Sequence, residues 1–556
     1  MRSLYHFHGG VHPPTNKAQS TNKPIASVPL PSRLVIPLHQ HVGNRAKPAV
    51  QVGERVLKGQ IIGRPEGRLS SAVHASTSGN VTAIDMQLVA HSSGLPDLCV
   101  TIVPDGKEEW NEIAGVNDQQ TSHSDLRHLL RHAGVVGLGG AVFPSDMKLY
   151  SNKHRVTTLV LNGAECEPYI TCDDLLMRER AEEILRGAEI LRELLYAEEV
   201  LIGIEDNKPE AIAAMSAAVA AGNYQRMEVI AVPTIYPGGG AKQLIRVLTG
   251  IEVAAGVRST ELGVQCFNVA TAFSAYRAIV HGEPLISRIV TVTGNVDRPQ
   301  NFEVLIGTPV EELVAHAGNR RDTNRYIMGG PMMGVDLPSA SVGVTKATNC
   351  IIATSPALFG EPEPALPCIR CVRCAEVCPA ELQPQELFWF AKARDFGKAQ
   401  EYHLFDCIEC GACSYVCPSH IPLVQFYRFA KSEIWERESE AQAANVARER
   451  HEFRQARIER DKQEKAERLA QKERAAIAAK AAAPPVAVSD VPVAAPDDAQ
   501  QLIAAALARA KAQAAAAQPK NTDTLTPEQQ EEIARIEARR AKIREMAHPN
   551  AQDEKE

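Results

Sequence analysis

The sequence predicts a multidomain α/β protein in which small β-rich modules flank a layered strand and helix domain, followed by a helical cysteine-rich module and a long tail. Three observations carry this. At 556 residues the chain exceeds a single domain of about 100 to 200 residues. Strand-like runs alternate with longer helical stretches from about 120 to 285, whereas short strand-like runs prevail before and after. Eight of the thirteen cysteines crowd between 368 and 417 in two copies of one pattern.

Formal charge is -7, from 60 lysines and arginines against 67 aspartates and glutamates. That leaves no basic excess to neutralise a phosphate backbone, so no nucleic acid partner is expected. Residues 1–31 form an N-terminal segment without an apolar core of about 7 to 15 residues behind Arg2, and no window approaches the ~20 apolar residues of a membrane span. A cytosolic or peripheral protein is expected.

Residues 32–105 carry strand-like runs at Val50-Gln51-Val52, Gln60 to Gly63 and Asn80 to Ile84. The pieces Val52 to Gln60 and His74 to Val81 resemble the lipoyl-type β barrel-sandwich fold. The hairpin lysine that would carry lipoate or biotin is missing, so a lipoyl-like packing module is expected. Residues 120–285 offer a strand at Thr157 to Asn162, a helix through 179–196 and a strand at Val200 to Ile204, the alternation of a Rossmann-like α/β domain with a parallel sheet. Residues 286–336, with Ile289 to Gly294 and a short helix at Val310 to Ala317, resemble the small ubiquitin-like SLBB module.

The cysteine runs are Cys368-x2-Cys371-x2-Cys374-x3-Cys378-Pro379 and Cys407-x2-Cys410-x2-Cys413-x3-Cys417-Pro418. In this bacterial pattern three close thiolates take three irons of a 4Fe-4S cubane, and the fourth cysteine, before proline, ligates the other cluster. Cys368, Cys371, Cys374 and Cys417 are therefore assigned to one cluster, and Cys407, Cys410, Cys413 and Cys378 to the other. Zinc is the alternative, but structural zinc sites use two separated ligand pairs rather than triples at two-residue gaps. With a helix-like stretch from Gln385 to Lys392 between the copies, residues 360–430 read as a helical dicluster ferredoxin domain, a wire for single electrons. Cys99, Cys166, Cys172, Cys266 and Cys350 share only the weak Cys166-x5-Cys172 spacing and read as small buried thiols.

The last 121 residues, 436–556, hold 33 alanines and 43 charged residues, 21 basic and 22 acidic, with Phe453 their one aromatic. Such a stretch cannot bury enough apolar surface to offset ordering entropy. Residues 436–480 read as a solvated helix braced by i,i+3 and i,i+4 charge pairs, then a Pro/Ala linker from Ala483 to Pro496 and a second helical piece. An Ala/charge-rich disordered tail and a partner-binding helix both stay open.

Within the α/β region, Gly137-Leu138-Gly139-Gly140-Ala141-Val142-Phe143 leads on to Lys148. Glycines at this density let backbone N–H groups approach a phosphate, and the lysine supplies charge. The run is neither G-x-G-x-x-G, whose last position would be Val142, nor a P-loop, and a plain turn remains the alternative. The next strand ends in Asn162-Gly163-Ala164-Glu165-Cys166-Glu167-Pro168, where α/β sheets bind ligands.

Together with Asn268-Val269-Ala270-Thr271, these two segments resemble the flavin-binding, NADH-oxidising subunit family of respiratory complex I. With the opening Phe7-His8-Gly9-Gly10-Val11-His12-Pro13-Pro14, the lipoyl-like module and the cysteine runs, residues 1 to about 435 resemble the C-subunit family of Rnf ion-translocating electron transport complexes. The tail resembles the alanine-rich extension of some members. The resemblance implies FMN bordered by Gly137, Gly139, Gly140, Lys148, Asn162, Glu165, Asn268 and Thr271, with Phe143 and Glu167 facing the nicotinamide nucleotide. Two departures stand out: Ala164 replaces an aspartate near the flavin, and Gly239 to Leu244 replaces a run carrying two glutamates by the nucleotide.

The same resemblance implies an NADH-dependent oxidoreductase subunit passing electrons between NAD(H), FMN and two 4Fe-4S clusters. It would sit peripherally on the cytoplasmic side of the cell inner membrane, held by the membrane subunits of an Rnf-type complex that couple electron flow to cation transport, with a ferredoxin-like carrier engaged indirectly. Two other readings compete. The lipoyl-like N-terminus and module order count against the diaphorase subunit of a soluble hydrogenase or formate dehydrogenase. The ferredoxin motifs count against a non-catalytic scaffold subunit of a quinone reductase.

Overall fold

The computed structural model describes residues 2–481, save 92, 113, 151–153, 361 and 362, together with 504–510. The chain falls into two compact units, Met1–Val446 and Ala447–Glu556.

In the first unit, two antiparallel sheets share one core. Leu34–Pro37, Pro96–Pro104, Gly79–Leu88 and Arg55–Val56 lie side by side in that order, and Lys47–Pro48, Ile61–Arg64 and Val73–His74 form the second sheet. Leu34, Ile36, Val56, Ile62, Val81, Val100 and Ile102 fill the space they enclose. The expected strand Val50 to Val52 is a turn instead. Gly53, at φ +89°, reverses the chain there, the Glu54 carboxylate accepts the Gln51 N–H at 2.9 Å, and Val52 is 60% exposed. Two valines flanking a polar residue imitate a pleat, but the left-handed glycine breaks the ladder.

The α/β domain is built on a wholly parallel sheet ordered Met227–Val232, Glu199–Glu205, Thr158–Gly163, Val264–Asn268. Its central strands are buried on both faces, as a helix-covered parallel sheet requires. Leu159, Leu161, Val200 and Ile202 face Ala181–Leu195 and Val269–Tyr276, while Val160 and Leu201 face Leu244, Ile245 and Leu248 of Ala241–Thr249. The helix expected through 179–196 is Ala181–Leu195, and a further helix, Cys172–Glu179, precedes it, separated because Arg180 at φ -130°, ψ 31° leaves helical geometry. A Cβ on Gly187 would lie 1.9 Å from the Ala272 carbonyl oxygen, so only glycine lets Ala181–Leu195 close on Val269–Tyr276.

The third sheet runs Ala26–Ser27, Gln300–Leu305, Ser287–Gly294, Cys350–Thr354, Arg325–Met328, Val335–Asp336, with helix Val310–Ala317 packed on it. The module expected at 286–336 thus takes an interior strand from beyond residue 336 and an edge strand from the N-terminal segment. The cysteine-rich module is helical. Each three-cysteine run leads into a single turn, Arg373–Glu376 or Ala412–Tyr415, entered through a left-handed residue, Val372 or Gly411. Pro384–Ala393, Phe396–Glu401 and the start of Leu423–Ala481 close a core of Leu387, Phe388, Phe396, Leu404 and Tyr427.

In the second unit the described side chains of the helix reaching Ala481 are exposed, Phe453 at 71%. Residues 504–510 are helical. The expected linker at 483–496 and the rest of the second helical piece lie outside the described residues.

Candidate cofactor site

The α/β sheet reverses its strand order between Thr158–Gly163 and Val264–Asn268, and the crevice beyond the carboxyl ends of such strands is where ligands bind. Asn268 ends one strand and caps the next helix. Its Oδ1 accepts the Ala270 N–H at 2.9 Å, and its Nδ2 donates to the Asp173 carboxylate at 2.6 Å and to the Asn162 carbonyl at 3.4 Å. Asn162 in turn donates to the Gly239 carbonyl at 2.8 Å and accepts the Ala164 N–H at 3.1 Å.

The glycine loop folds as a tight reversal over this point. The Gly137 N–H donates to the Phe143 carbonyl at 2.8 Å, the Val142 N–H to the Gly137 carbonyl at 3.0 Å, and the Leu138 N–H to Thr271 Oγ1 at 2.9 Å. Gly139, Gly140 and Ala141 form the exposed tip, and a Cβ on Gly139 would stand 3.4 Å from Asn268 Cβ. Main-chain donors on an exposed tip beside the N-terminus of Val269–Tyr276 suit the phosphate of a flavin nucleotide. Gly137, Gly139, Gly140, Asn162, Asn268 and Thr271 are thus brought together.

Glu165 sits in left-handed backbone at φ +50°, and its carboxylate accepts the N–H groups of Asp173 at 2.7 Å and Asp174 at 3.3 Å at the head of Cys172–Glu179. Burial, and then the charge of Glu165, push the Asp173 carboxyl up to about 7, against the bond from Asn268. Lys148 is turned to the sheet edge: its Nζ donates to the Cys266 carbonyl at 3.1 Å, 5.1 Å from the Phe267 ring centroid. Glu167 accepts the N–H groups of Met332 at 2.7 Å and Met333 at 3.0 Å; burial pushes its carboxyl up while those bonds hold it down. Phe143 is half-buried at the base of the glycine loop.

Several residues that hold the site carry no local sequence signal. Lys17 and Lys208, both buried, donate to carbonyls of the Ala164 to Ile170 segment. Buried Tyr236 donates to the Cys410 carbonyl at 2.6 Å. None belongs to a motif, and their partners are remote in sequence.

Cys368, Cys371, Cys374 and Cys417 line one small cavity with Gln385, Phe388 and Ile421, and Cys378, Cys407, Cys410 and Cys413 line another with Leu387, Val424 and Tyr427. The fourth cysteine of each run faces the other run's cavity. Burial pushes Cys374 up to about 11 and Cys410 to about 12, and the neighbouring thiols Cys371 and Cys407 add to it. Four thiolates around one cavity are therefore unfavourable without a cationic centre, and the donor sets fit iron cubanes. Of the other cysteines, Cys99, Cys172, Cys266 and Cys350 are buried and Cys166 is half-buried. Cys166 packs with Tyr236, Met332, Cys410 and Ala412, so the crevice loop abuts the second cavity.

A barrel-sandwich, a flavin-type α/β domain, a ubiquitin-like module and a dicluster module in one chain define a flavin-domain iron–sulfur protein. Family descriptions match each in turn: the RnfC barrel sandwich hybrid domain at 5–107, the Nuo51 FMN-binding domain at 130–277, the SLBB domain at 289–336 and the 4Fe-4S dicluster domain at 367–421. C-subunit proteins of ion-translocating oxidoreductase complexes are similar over most of the chain. Identity is 48% with that of Edwardsiella ictaluri, over 83% of this chain and 58% of the relative, and 48% with that of Pseudomonas aeruginosa, over 84% and 60%. With that of Haemophilus influenzae strain 86-028NP it is 45%, over 83% and 69%. The chain belongs to the C-subunit family of ion-translocating oxidoreductase complexes. It spans 58% and 60% of the length of the first two relatives. A solved NAD+-reducing [NiFe]-hydrogenase is 19% identical with a TM-score of 0.40, covering 50% of this chain and 54% of that one, a likeness too slight to argue from.

Proposed function

We propose that this chain is the peripheral electron-transfer subunit of a membrane-bound, ion-translocating oxidoreductase complex, passing electrons between NAD(H), one FMN and two 4Fe-4S clusters. FMN, when bound, exchanges electron pairs with a nucleotide and single electrons with iron–sulfur clusters. The glycine tip and the N-terminus of Val269–Tyr276 hold its phosphate, and Asn162, Glu165 and Asn268 line its crevice. Lys148 steadies the edge strand under the loop through its bond to Cys266. Phe143 and Glu167 border the nucleotide, Glu167 being held in place by the Met332 and Met333 amides. Cys368, Cys371, Cys374 and Cys417 hold one cluster; Cys378, Cys407, Cys410 and Cys413 hold the other.

The observation that carries the reading is the packing of Cys166 and Tyr236 against Cys410, which sets the crevice loop beside a complete four-thiol cavity. A flavin there has a neighbouring acceptor. No described helix is long and apolar enough to cross a membrane, so the reading gives the cation path to partner subunits of an Rnf-type complex, with this subunit on the cytoplasmic face of the inner membrane and a ferredoxin-like carrier further along. Stopped-flow mixing of the anaerobic full-length protein with NADH tests it. Flavin absorbance should bleach first and the broad cluster absorbance after it. Cluster bleaching without a flavin phase would defeat the reading.

A further inference from the structure

The opening run, Phe7 to Pro14, belongs neither to the crevice nor to the cavities. It is a strap between them. The Gly10 N–H donates to the Val377 carbonyl at 3.0 Å, His8 Nδ1 lies 3.0 Å from the Cys378 carbonyl, and Val11 exchanges main-chain bonds with Tyr236 at 2.8 and 2.9 Å. Further on, the Thr15 carbonyl accepts the Tyr169 N–H at 2.8 Å. The strap delivers Lys17, 7% exposed, beneath the crevice loop, where its Nζ donates to the carbonyls of Glu165 at 2.8 Å, Glu167 at 2.9 Å and Ile170.

Three carbonyls around one nitrogen require three N–H donors. Only the ammonium form has them, since a neutral amine would set its lone pair against a carbonyl oxygen. Lys208 does a parallel task with a different charge balance: it donates to the Ala164 carbonyl at 2.7 Å but is paired with the Glu205 carboxylate at 3.0 Å. The hydrogen bonds of Lys17 go only to carbonyls, and the Glu165, Glu205 and Glu167 carboxylates act on it without a direct ion pair, so its charge still reaches across the loop. Because a trans peptide is planar, drawing the Ala164 and Glu165 carbonyls towards the lysines turns the Glu165 and Cys166 N–H groups away from them, free to meet a ligand.

We propose that Lys17 is the positioning residue of the flavin crevice: it orients the loop's amides, and its buried charge favours the reduced flavin. This rests on the reading that FMN occupies the crevice. Full reduction adds two electrons and one proton, so the ring gains one negative charge, and an ammonium behind a low-dielectric loop stabilises that charge.

The test uses the anaerobic full-length protein and two variants. Lys17→Met removes both the donors and the charge; Lys17→Gln removes the charge and keeps two N–H donors. FMN affinity is read by fluorescence titration, the flavin midpoint potential by spectroelectrochemistry, and iron content serves as the control. Lys17→Met should bind FMN at least about ten-fold more weakly, with iron unchanged. Lys17→Gln should retain FMN better and lower its midpoint by about 30 mV, the equivalent of a ten-fold loss of preference for the two-electron reduced form. Wild-type affinity and potential in both variants would overturn the proposal. So would loss of iron from both, which would make Lys17 a general structural residue. Failure of the wild-type chain to bind FMN would instead defeat the underlying reading of the crevice.

Discussion

The Tyr236 phenol donates a 2.6 Å hydrogen bond to the main-chain carbonyl of Cys410, joining the turn beside the crevice loop to a cysteine of the second cavity. Tyr236 is 2% exposed and Cys410 7%, so no solvent competes for the bond. Burial and the nearby Glu167 carboxylate push the phenol far above its ordinary range, which keeps the proton on its oxygen. Tyr236→Phe strands a buried carbonyl, and the expected loss is about 1 to 3 kcal/mol. It should appear as earlier release of iron from one cluster in a denaturant titration, with FMN still bound.

The crossed cysteine sets predict that Cys378→Ala and Cys417→Ala damage different clusters from those of their own runs. Cys378→Ala should abolish the signal of the cluster shared with Cys407, Cys410 and Cys413, and Cys417→Ala that of the cluster shared with Cys368, Cys371 and Cys374. Electron paramagnetic resonance of the dithionite-reduced variants distinguishes them. Loss confined to the mutated run's own three-cysteine cluster would refute the crossing.

Glu167→Gln retains a carbonyl oxygen for the Met332 and Met333 amides, so the loop should hold while its charge is lost. If that carboxylate also meets the nucleotide, reduction by NADH slows, by up to about 100-fold for a misplaced donor, while FMN stays bound and reducible by dithionite. Stopped-flow flavin bleaching reads this directly. An unchanged rate would remove Glu167 from the nucleotide site.

Asp173 gives a pH signature. Its folded-state value of about 7 lies above the ordinary carboxyl value of 3.8, raised first by burial and then by Glu165. The stability this group contributes is therefore present below the unfolded value and is lost as pH rises through about 7. Asp173→Asn keeps an oxygen for Asn268 and has no proton to lose, so the Tm of the variant relative to wild type should rise between about pH 4 and 7 and level off above that. A difference independent of pH would place the ionisation elsewhere.

The helix that leads into the tail still braces the ferredoxin module at its start: the Arg437 guanidinium stands 4.7 Å from the Phe396 ring centroid, and Glu438 accepts from Gln400 at 3.2 Å. Truncation after Val446 should leave flavin and iron content intact. Truncation after Trp435 should cost about 1 kcal/mol more, from the lost cation–π contact and its partner bond. Thermal melts of the two truncated proteins decide it.

What was legible in the sequence is what is local. The cysteine spacing names both four-thiol sets because a cubane's ligands are set mainly by neighbours two residues apart, and proline marks the one that crosses. The glycine loop and the strand ending at Asn162 were legible for the same reason. Lys148 sits in the glycine motif, yet its Nζ reaches the Cys266 carbonyl, 118 residues away. Lys17 and Tyr236 were invisible because their partners are main-chain carbonyls 148 and 174 residues distant, which no residue type advertises. The Val50 to Val52 turn shows the converse error, a local pleat pattern overruled by a single left-handed glycine.

That one chain holds a flavin and two cubanes is tested most directly by assaying iron, acid-labile sulfide, zinc and FMN per chain after strictly anaerobic purification of the full-length protein. Two complete four-thiol sets predict about eight irons and about eight sulfides, with about one FMN and negligible zinc. Stoichiometric zinc, only about four irons, or a chain that binds no FMN would contradict it.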